Sequence, residues 1–171
     1  SLMMSYHGTS RGVAMATNLG KGLIEEMPPA PGHIHIPNYY CYRCPFKLYN
    51  PETCNMACAE YLEDVIKYET SENVAFFIAE PVMGEGGIIV PPHKYFTTIK
   101  QILNQYGVLF IADEVQSGFG RTGKMFAIEH YGVEPDIMVM AKGIADGFPL
   151  SCFIAPDEIA DSFKVGDHLS T

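Results

Sequence analysis

Four short runs, NVAFFIAE at 73–80, VLFIADE at 108–114, DIMVMAKG at 136–143 and LSCFIAP at 150–156, are apolar at nearly every position. A strand with one wet face alternates apolar and polar residues, so a run apolar throughout predicts cover on both faces, as in sheets whose strands are joined by helical crossovers. Between the first two runs lies HKYFTTIKQILNQYG, 93–107, with helical spacing and Gly107 placed where a C-terminal glycine stops a helix. Ahead of them, NMACAEYLEDVIKYE, 55–69, sets Ala57, Tyr61, Leu62, Val65 and Tyr68 at helical intervals. This alternation predicts an α/β fold, a mostly parallel sheet with flanking helices. Residues 51–171 form that core. Residues 1–50, rich in Gly, Pro, Tyr and His and without a sustained period, read as an irregular portion of the same domain, loop with short strands.

At 171 residues the chain suits one domain with a real core, and its 47% apolar content is that of a globular protein. The net charge of -9 and a pI near 5.0, with no basic stripe, argue against a nucleic-acid surface. Apolar runs of about eight residues fall far short of the roughly 20 that cross a bilayer, so no membrane partner is expected. The opening residues carry no apolar core segment of a signal peptide, and the expected address is the cytoplasm.

Cys41 and Cys44 form C-x2-C, and Cys54 and Cys58 form C-x3-C shortly afterwards. Four thiolates at such spacing suit tetrahedral zinc. Reduced thiols on a loop and the following helix are the simpler reading in a cytoplasmic protein, with disulfides a third. Cys152, in an apolar strand, reads as a small buried hydrophobe. His33 and His35 alternate with Ile34 and Ile36 as on one face of an extended segment, and read as exposed side chains rather than metal ligands.

In open α/β sheets ligands gather beyond the carboxyl ends of the strands. Here those ends carry Glu80, the adjacent pair Asp113 and Glu114, and Lys142. Neighbouring strand residues point to opposite faces, so Asp113 and Glu114 cannot serve one ligand: one faces the site and the other supports structure. A lysine at a strand end ordinarily snorkels to water. Partly desolvated, its amine becomes a nucleophile able to form an imine with a carbonyl. A carboxylate and such a lysine at neighbouring strand ends suit pyridoxal phosphate, the lysine holding the aldehyde and Asp113 pairing with the ring nitrogen.

The stretch IADEVQSGFGRTGKMFAIEHYGVEPDIMVMAKGIADGFPL, together with SYHG at 5–8 and IAEPVMGEGG at 78–87, resembles class III pyridoxal-phosphate-dependent aminotransferases, the ω-amino acid transaminase group. The resemblance implies the large, cofactor-binding domain of a fold-type I transferase. It implies transfer of an amino group from an amino donor, an ω-amino acid or similar, to a keto acid such as pyruvate or 2-oxoglutarate, in a homodimer. Carried over by residue, Lys142 holds the cofactor aldehyde and moves the substrate proton, while Asp113 binds the ring nitrogen. Gln116 meets the phenolic oxygen, Val115 packs on one ring face, Tyr6 stacks on the other with His7 beside it, and Thr171 reaches a phosphate. Glu80 resembles the acidic residue at the substrate end, Glu114 supports its loop, and Arg121 fixes the loop or a subunit contact. Against the family's pattern the chain lacks the upstream phosphate-cradling segment and the C-terminal small domain. The alternative expectation is therefore a catalytically incomplete fragment with only structural or cofactor-binding capacity.

Overall fold

The computed structural model describes residues 1–19, 31–71, 73–164 and 166–167. Four strands, β1 Phe76–Ala79, β2 Leu109–Asp113, β3 Ile137–Met140 and β4 Cys152–Ile154, form one sheet in the order β1-β2-β3-β4. The first three are parallel, with Ile78 opposite Ile111 and Asp113 opposite Val139; β4 runs antiparallel to β3, with Met140 opposite Cys152. Among the described residues four helices accompany them: α1 Arg11–Ala14, α2 Ala57–Tyr68, α3 Tyr95–Tyr106 and α4 Asp157–Ala160. The expected α/β class with a mostly parallel sheet and flanking helices is what the chain adopts.

Helix α3 forms because its apolar positions repeat at helical intervals, burying Tyr95, Phe96, Ile99, Ile102 and Leu103 on one stripe. It ends at Gly107, whose φ of 65° is one that glycine adopts without steric penalty, and the Val108 N–H closes back on the Leu103 carbonyl at 2.9 Å. Burying each large side chain of that stripe contributes about 1.5–3 kcal/mol. The stripe seats α3 on the sheet, where Phe96 stacks on Phe110 at 5.7 Å. Helix α2 packs on α3, but with a different face from the one its sequence suggests. The buried positions are Cys58, Ala59, Leu62, Val65 and Ile66, while Tyr61 and Tyr68 are 37% and 78% exposed. Tyrosine has an apolar body and a polar tip, so it counts as apolar in a periodicity yet is content at the surface.

The sheet also departs from the expectation of cover on both faces. Phe77, Ala79, Phe110, Ala112, Met138 and Met140 are buried on the helix side, whereas Ile78, Ile111, Ile137 and Val139 on the other side are only half-buried. β1 and β2 are linked by a helical crossover, α3. The link from β2 to β3 is a loop carrying a 3-10 turn, Ala127–Tyr131. In the N-terminal portion, residues 1–5 are tied to the rest by a parallel bridge between Leu2 and Ile36 and by Ser5 Oγ donating to the Ala16 carbonyl at 3.0 Å.

No helix among the described residues is long and apolar enough to cross a membrane. Cys41, Cys44, Cys54 and Cys58 line one small cavity with free thiols, and no group of three or more metal-ligating side chains stands in binding geometry among the described residues.

Candidate active site

The carboxyl ends of β1, β2 and β3 bring the sequence-selected acids and the lysine to one edge of the sheet. β2 runs straight into Asp113, a buried carboxylate 5% exposed. Both oxygens are held: Oδ1 accepts the Val115 backbone N–H at 3.0 Å, and Oδ2 lies 2.7 Å from His7 Nδ1. Each oxygen retains a second lone pair, so the carboxylate can still accept a further donor.

His7 reaches Asp113 across 106 residues of sequence. Its side chain is 1% exposed, and among the described residues its Nε2 has no hydrogen-bond partner. An ionised carboxylate only accepts hydrogen bonds, so Nδ1 is the ring nitrogen placed to donate to Asp113. The backbone beneath it is anchored too, with the His7 N–H on Thr17 Oγ1 at 2.9 Å and that hydroxyl on the Gly8 carbonyl at 2.8 Å.

Glu80 follows β1 and is 5% exposed. Its Oε1 accepts the Tyr6 N–H at 3.0 Å and its Oε2 the Gly84 N–H at 2.8 Å, while Tyr39 Oη donates to its backbone carbonyl at 2.8 Å. Burial pushes its carboxyl above the ordinary value of 4.5, opposed by the two backbone donors and His7 and reinforced by Asp113. Expected at the substrate end, Glu80 acts here as a tether. It ties Tyr6 and the tight turn at Gly84 to the end of β1, and both its oxygens are engaged by main chain.

Glu114 points the other way from Asp113 and is fully buried. Its Oε1 takes the Ile128 N–H at 2.7 Å and its Oε2 the Ser117 hydroxyl at 2.6 Å, which pins the 114–128 loop. The two carboxylates turn to opposite sides, as strand alternation predicts, Asp113 to His7 and Glu114 to its own loop.

Lys142 opens the short 3-10 turn Lys142–Ile144 after β3, is exposed, and has a left-handed φ of 50°. A non-glycine residue held there costs about 1–2 kcal/mol. Such strain persists where the surroundings over-determine it, characteristically at functional sites. Lys142 lines a cleft of about 1080 Å³ together with Gln116, Gly84, Phe119, Arg121 and Tyr131. Asp113, His7 and Tyr6 do not form its walls. A second cavity, of about 500 Å³, lies at the opposite, amino end of β1 among Leu62, Phe76 and Leu103, with no lysine or arginine among its described lining residues.

Gly84 shows how closely the cleft is built. A Cβ there would fall 1.3 Å from Gln116 Oε1, so the carboxamide lies directly on the glycine. The signal for this contact is present in the sequence as the glycine-rich GEGG turn, but its partner is not. Of the remaining residues singled out, Val115 is half-buried and serves Asp113 through its N–H, Tyr6 is half-buried with its amide on Glu80, and Thr171 lies outside the described residues.

These groups fit pyridoxal phosphate on their own chemistry. A buried carboxylate with a spare lone pair suits a protonated pyridine nitrogen, and an exposed primary amine on the neighbouring strand suits its aldehyde. The amide of Gln116, lying in the space that a side chain at position 84 would fill, offers a donor to the ring's oxygen.

The family model described as Aminotransferase class-III matches residues 1–171. A leucine/methionine racemase of Thermococcus litoralis is 42% identical over 176 residues, covering 100% of this chain and 39% of the racemase. A putrescine–pyruvate aminotransferase of Pseudomonas aeruginosa is 43% identical over 164 residues, covering 94% of this chain and 35% of that enzyme. Among solved structures, a thermostable (S)-enantioselective omega-transaminase from Thermomicrobium roseum superposes with a TM-score of 0.89 at 42% identity, covering 99% of this chain and 38% of the other. The chain thus spans less than two-fifths of the length of these relatives. Its sheet, the carboxylate and lysine at the ends of neighbouring strands, and a match along its whole length agree: the chain belongs to the class-III aminotransferase family.

Proposed function

We propose that this chain supplies the cofactor-holding centre of a pyridoxal-phosphate-dependent aminotransferase. The enzyme moves an amino group from a small amino donor, an ω-amino acid or similar, to a keto acid such as pyruvate or 2-oxoglutarate. The observation that carries the reading is Asp113, fixed at both oxygens at the end of β2, beside a strand followed two residues on by the strained, exposed Lys142. Pyridoxal phosphate, when bound, supplies an electron sink that accepts the pair left when the C–H bond of the amine-bearing carbon breaks.

The chain's own residues do the rest. Asp113 would accept the ring N–H, its fixed oxygens holding that acceptor without reorganisation. Lys142 Nζ would hold the aldehyde and would serve as the base for the proton on the amine-bearing carbon. Gln116 would donate to the phenolic oxygen, and Val115 and Tyr6 would flank the ring, with Tyr6 held at its amide by Glu80. By the same reading Thr171 would reach the phosphate. Glu80 shapes the substrate end through the turn it holds. The reading places the protein in the cytoplasm as a homodimer, in line with an acidic chain that has five free cysteines.

A second reading, racemisation, has the 42% identity to the racemase in its support. It would use the same carboxylate and lysine and differ in returning the proton to the same carbon. The chain is incubated with pyridoxal phosphate, reduced with borohydride and mapped by mass: the mark is expected on Lys142, and labels scattered over other lysines would defeat the cofactor reading. Alanine formed from pyruvate and an ω-amino donor supports transfer. Inversion of an amino acid without loss of its nitrogen supports racemisation. A mark on Lys142 with neither turnover identifies a cofactor-binding fragment without catalysis.

A further inference from the structure

We propose that Cys41 and Cys54 form a thiol–disulfide site, which a small-molecule disulfide of the glutathione class closes into a cross-link between the 41–44 turn and the approach to α2. The proposal is independent of the cofactor reading. Cys41, Cys44, Cys54 and Cys58 are free thiols from two separate segments, the 3-10 turn Cys41–Arg43 with its following residue and the start of α2. All four nevertheless line one cavity of only about 10 Å³. That is room for about one water molecule, so the residues around it stand close together. No three metal-ligating side chains stand in binding geometry among the described residues, whereas a disulfide needs only two sulfurs.

The four sulfurs are not equivalent. Cys58 is buried, and burial together with the three neighbouring cysteines pushes its thiol up to about 12, which keeps it protonated at neutral pH. Burial raises Cys41 as well, and among its charged neighbours Cys54 comes ahead of Cys44. Cys54 is half-buried and so open to a reagent. Cys41 Sγ donates to the Tyr39 carbonyl at 3.6 Å and Cys54 Sγ to the Pro51 carbonyl at 3.7 Å, weak bonds that leave both sulfurs free to turn. The Cys54 thiolate attacks one sulfur of the reagent, whose other half leaves as a thiolate. Cys41, deprotonated in turn, attacks the Cys54 sulfur and expels the second half. One S–S bond breaks in the reagent and one forms in the protein, the two cysteine protons pass to the departing thiolates, and the protein loses the two electrons that the reagent gains. The bond fastens the segment whose Tyr39 hydroxyl donates to the Glu80 carbonyl at 2.8 Å and whose Asn38 Nδ2 donates to the Met3 carbonyl at 3.0 Å. Closure therefore restrains the stretch from which the N-terminal residues hang. Disulfides that form this way among reducible thiols are transient and report the redox state around them.

The full chain, reduced and then freed of reductant, is equilibrated with mixtures of reduced and oxidised glutathione. Remaining thiols are blocked after unfolding, and tryptic peptides are mapped by mass without reduction. Cleavage after Arg43 and Lys47 puts Cys41, Cys44 and the pair Cys54 and Cys58 on three peptides. The expected product joins the peptide ending at Arg43 to the one beginning at Leu48, with the bond at Cys54 and the blocking group on Cys58. The oxidised chain should melt about 6–12 °C above the reduced one, the effect of closing a loop of roughly 14 residues, and dithiothreitol should abolish the difference. Cys54→Ser should lose both the joined peptide and the shift, while Cys152→Ser keeps both. The joined peptide is read in wild type, so the decision does not depend on either variant folding. Thiols that stay reduced, that take up glutathione singly, or that join Cys41 to Cys44 or Cys58 overturn the proposal. So does cobalt(II) bound at one per chain with thiolate charge-transfer absorption, which would make the cluster a metal site.

Discussion

Removing the Glu80 carboxylate tests whether this residue is a tether or a free group at the substrate end. In Glu80→Ala the Tyr6 and Gly84 N–H groups both lose their acceptor. A buried unpaired donor costs about 1–3 kcal/mol; Gly84 is buried and pays the upper part, while half-buried Tyr6 can recruit water, for a sum of about 3–4 kcal/mol. That is a large share of the roughly 5–15 kcal/mol that holds a domain together. Glu80→Gln keeps one acceptor and turns an amide N–H toward the other donor, so its loss should be about half as large. The sign of the pH dependence follows from burial. Because the folded carboxyl lies above its ordinary 4.5, the native state binds more protons than the unfolded chain, so Glu80's contribution is fully present below that value and declines as pH rises through the raised one. The difference in stability between wild type and E80Q should accordingly be greatest near pH 4.5 and shrink toward neutrality. Urea unfolding followed by far-ultraviolet circular dichroism, repeated between pH 4.5 and 8, measures both. An E80A variant within about 0.5 kcal/mol of wild type would refute the tether, since surface changes of that size need no buried partner.

Glu114→Ala should cost about 3–5 kcal/mol by stranding the Ile128 N–H and the Ser117 hydroxyl, whereas Glu114→Gln can keep the first and donate to the second, and should stay within about 1 kcal/mol; denaturant midpoints decide. Gly84→Ala forces the Gln116 carboxamide away, so it should leave the thermal midpoint nearly unchanged while weakening pyridoxal phosphate binding several-fold in a titration. Lys142→Gly relieves a left-handed backbone and should unfold no more easily than wild type, while abolishing covalent capture of the cofactor on borohydride reduction. Cys58, whose thiol burial and the neighbouring cysteines push up to about 12, should be the slowest to alkylate at pH 8, where only about one molecule in ten thousand carries the thiolate; timed labelling with peptide mapping checks the order.

What was legible in the sequence follows from which forces are local. Helix α3 could be read nearly to its last residue because its apolar stripe and Gly107 are both written in consecutive positions. The carboxylates and Lys142 were legible because strand ends are marked by the abrupt close of an apolar run. The direction of β4 was not singled out, although the link from Met140 to Cys152 is shorter than a parallel crossover ordinarily needs. The role of Glu80 was hidden for a different reason: its partners are main-chain amides, which every residue but proline possesses and no sequence pattern announces. His7 was placed beside the ring by resemblance, but its grip on Asp113 spans 106 residues and has no local trace.

The separations of 74 residues between Tyr6 and Glu80 and 106 between His7 and Asp113 have a consequence for the order of folding. Closing such loops carries an entropic penalty that must be met before the contacts return anything, so long-range pairings form late. The crossover β1–α3–β2 can assemble from neighbouring segments, but the N-terminal hook can latch only afterwards. Mutations at His7, Thr17 or Glu80 should therefore leave the refolding rate almost untouched and accelerate unfolding instead, with φ-values near zero, while truncations at Phe96 or Phe110 slow refolding. During synthesis His7 waits for more than a hundred successors before the reactive centre can exist.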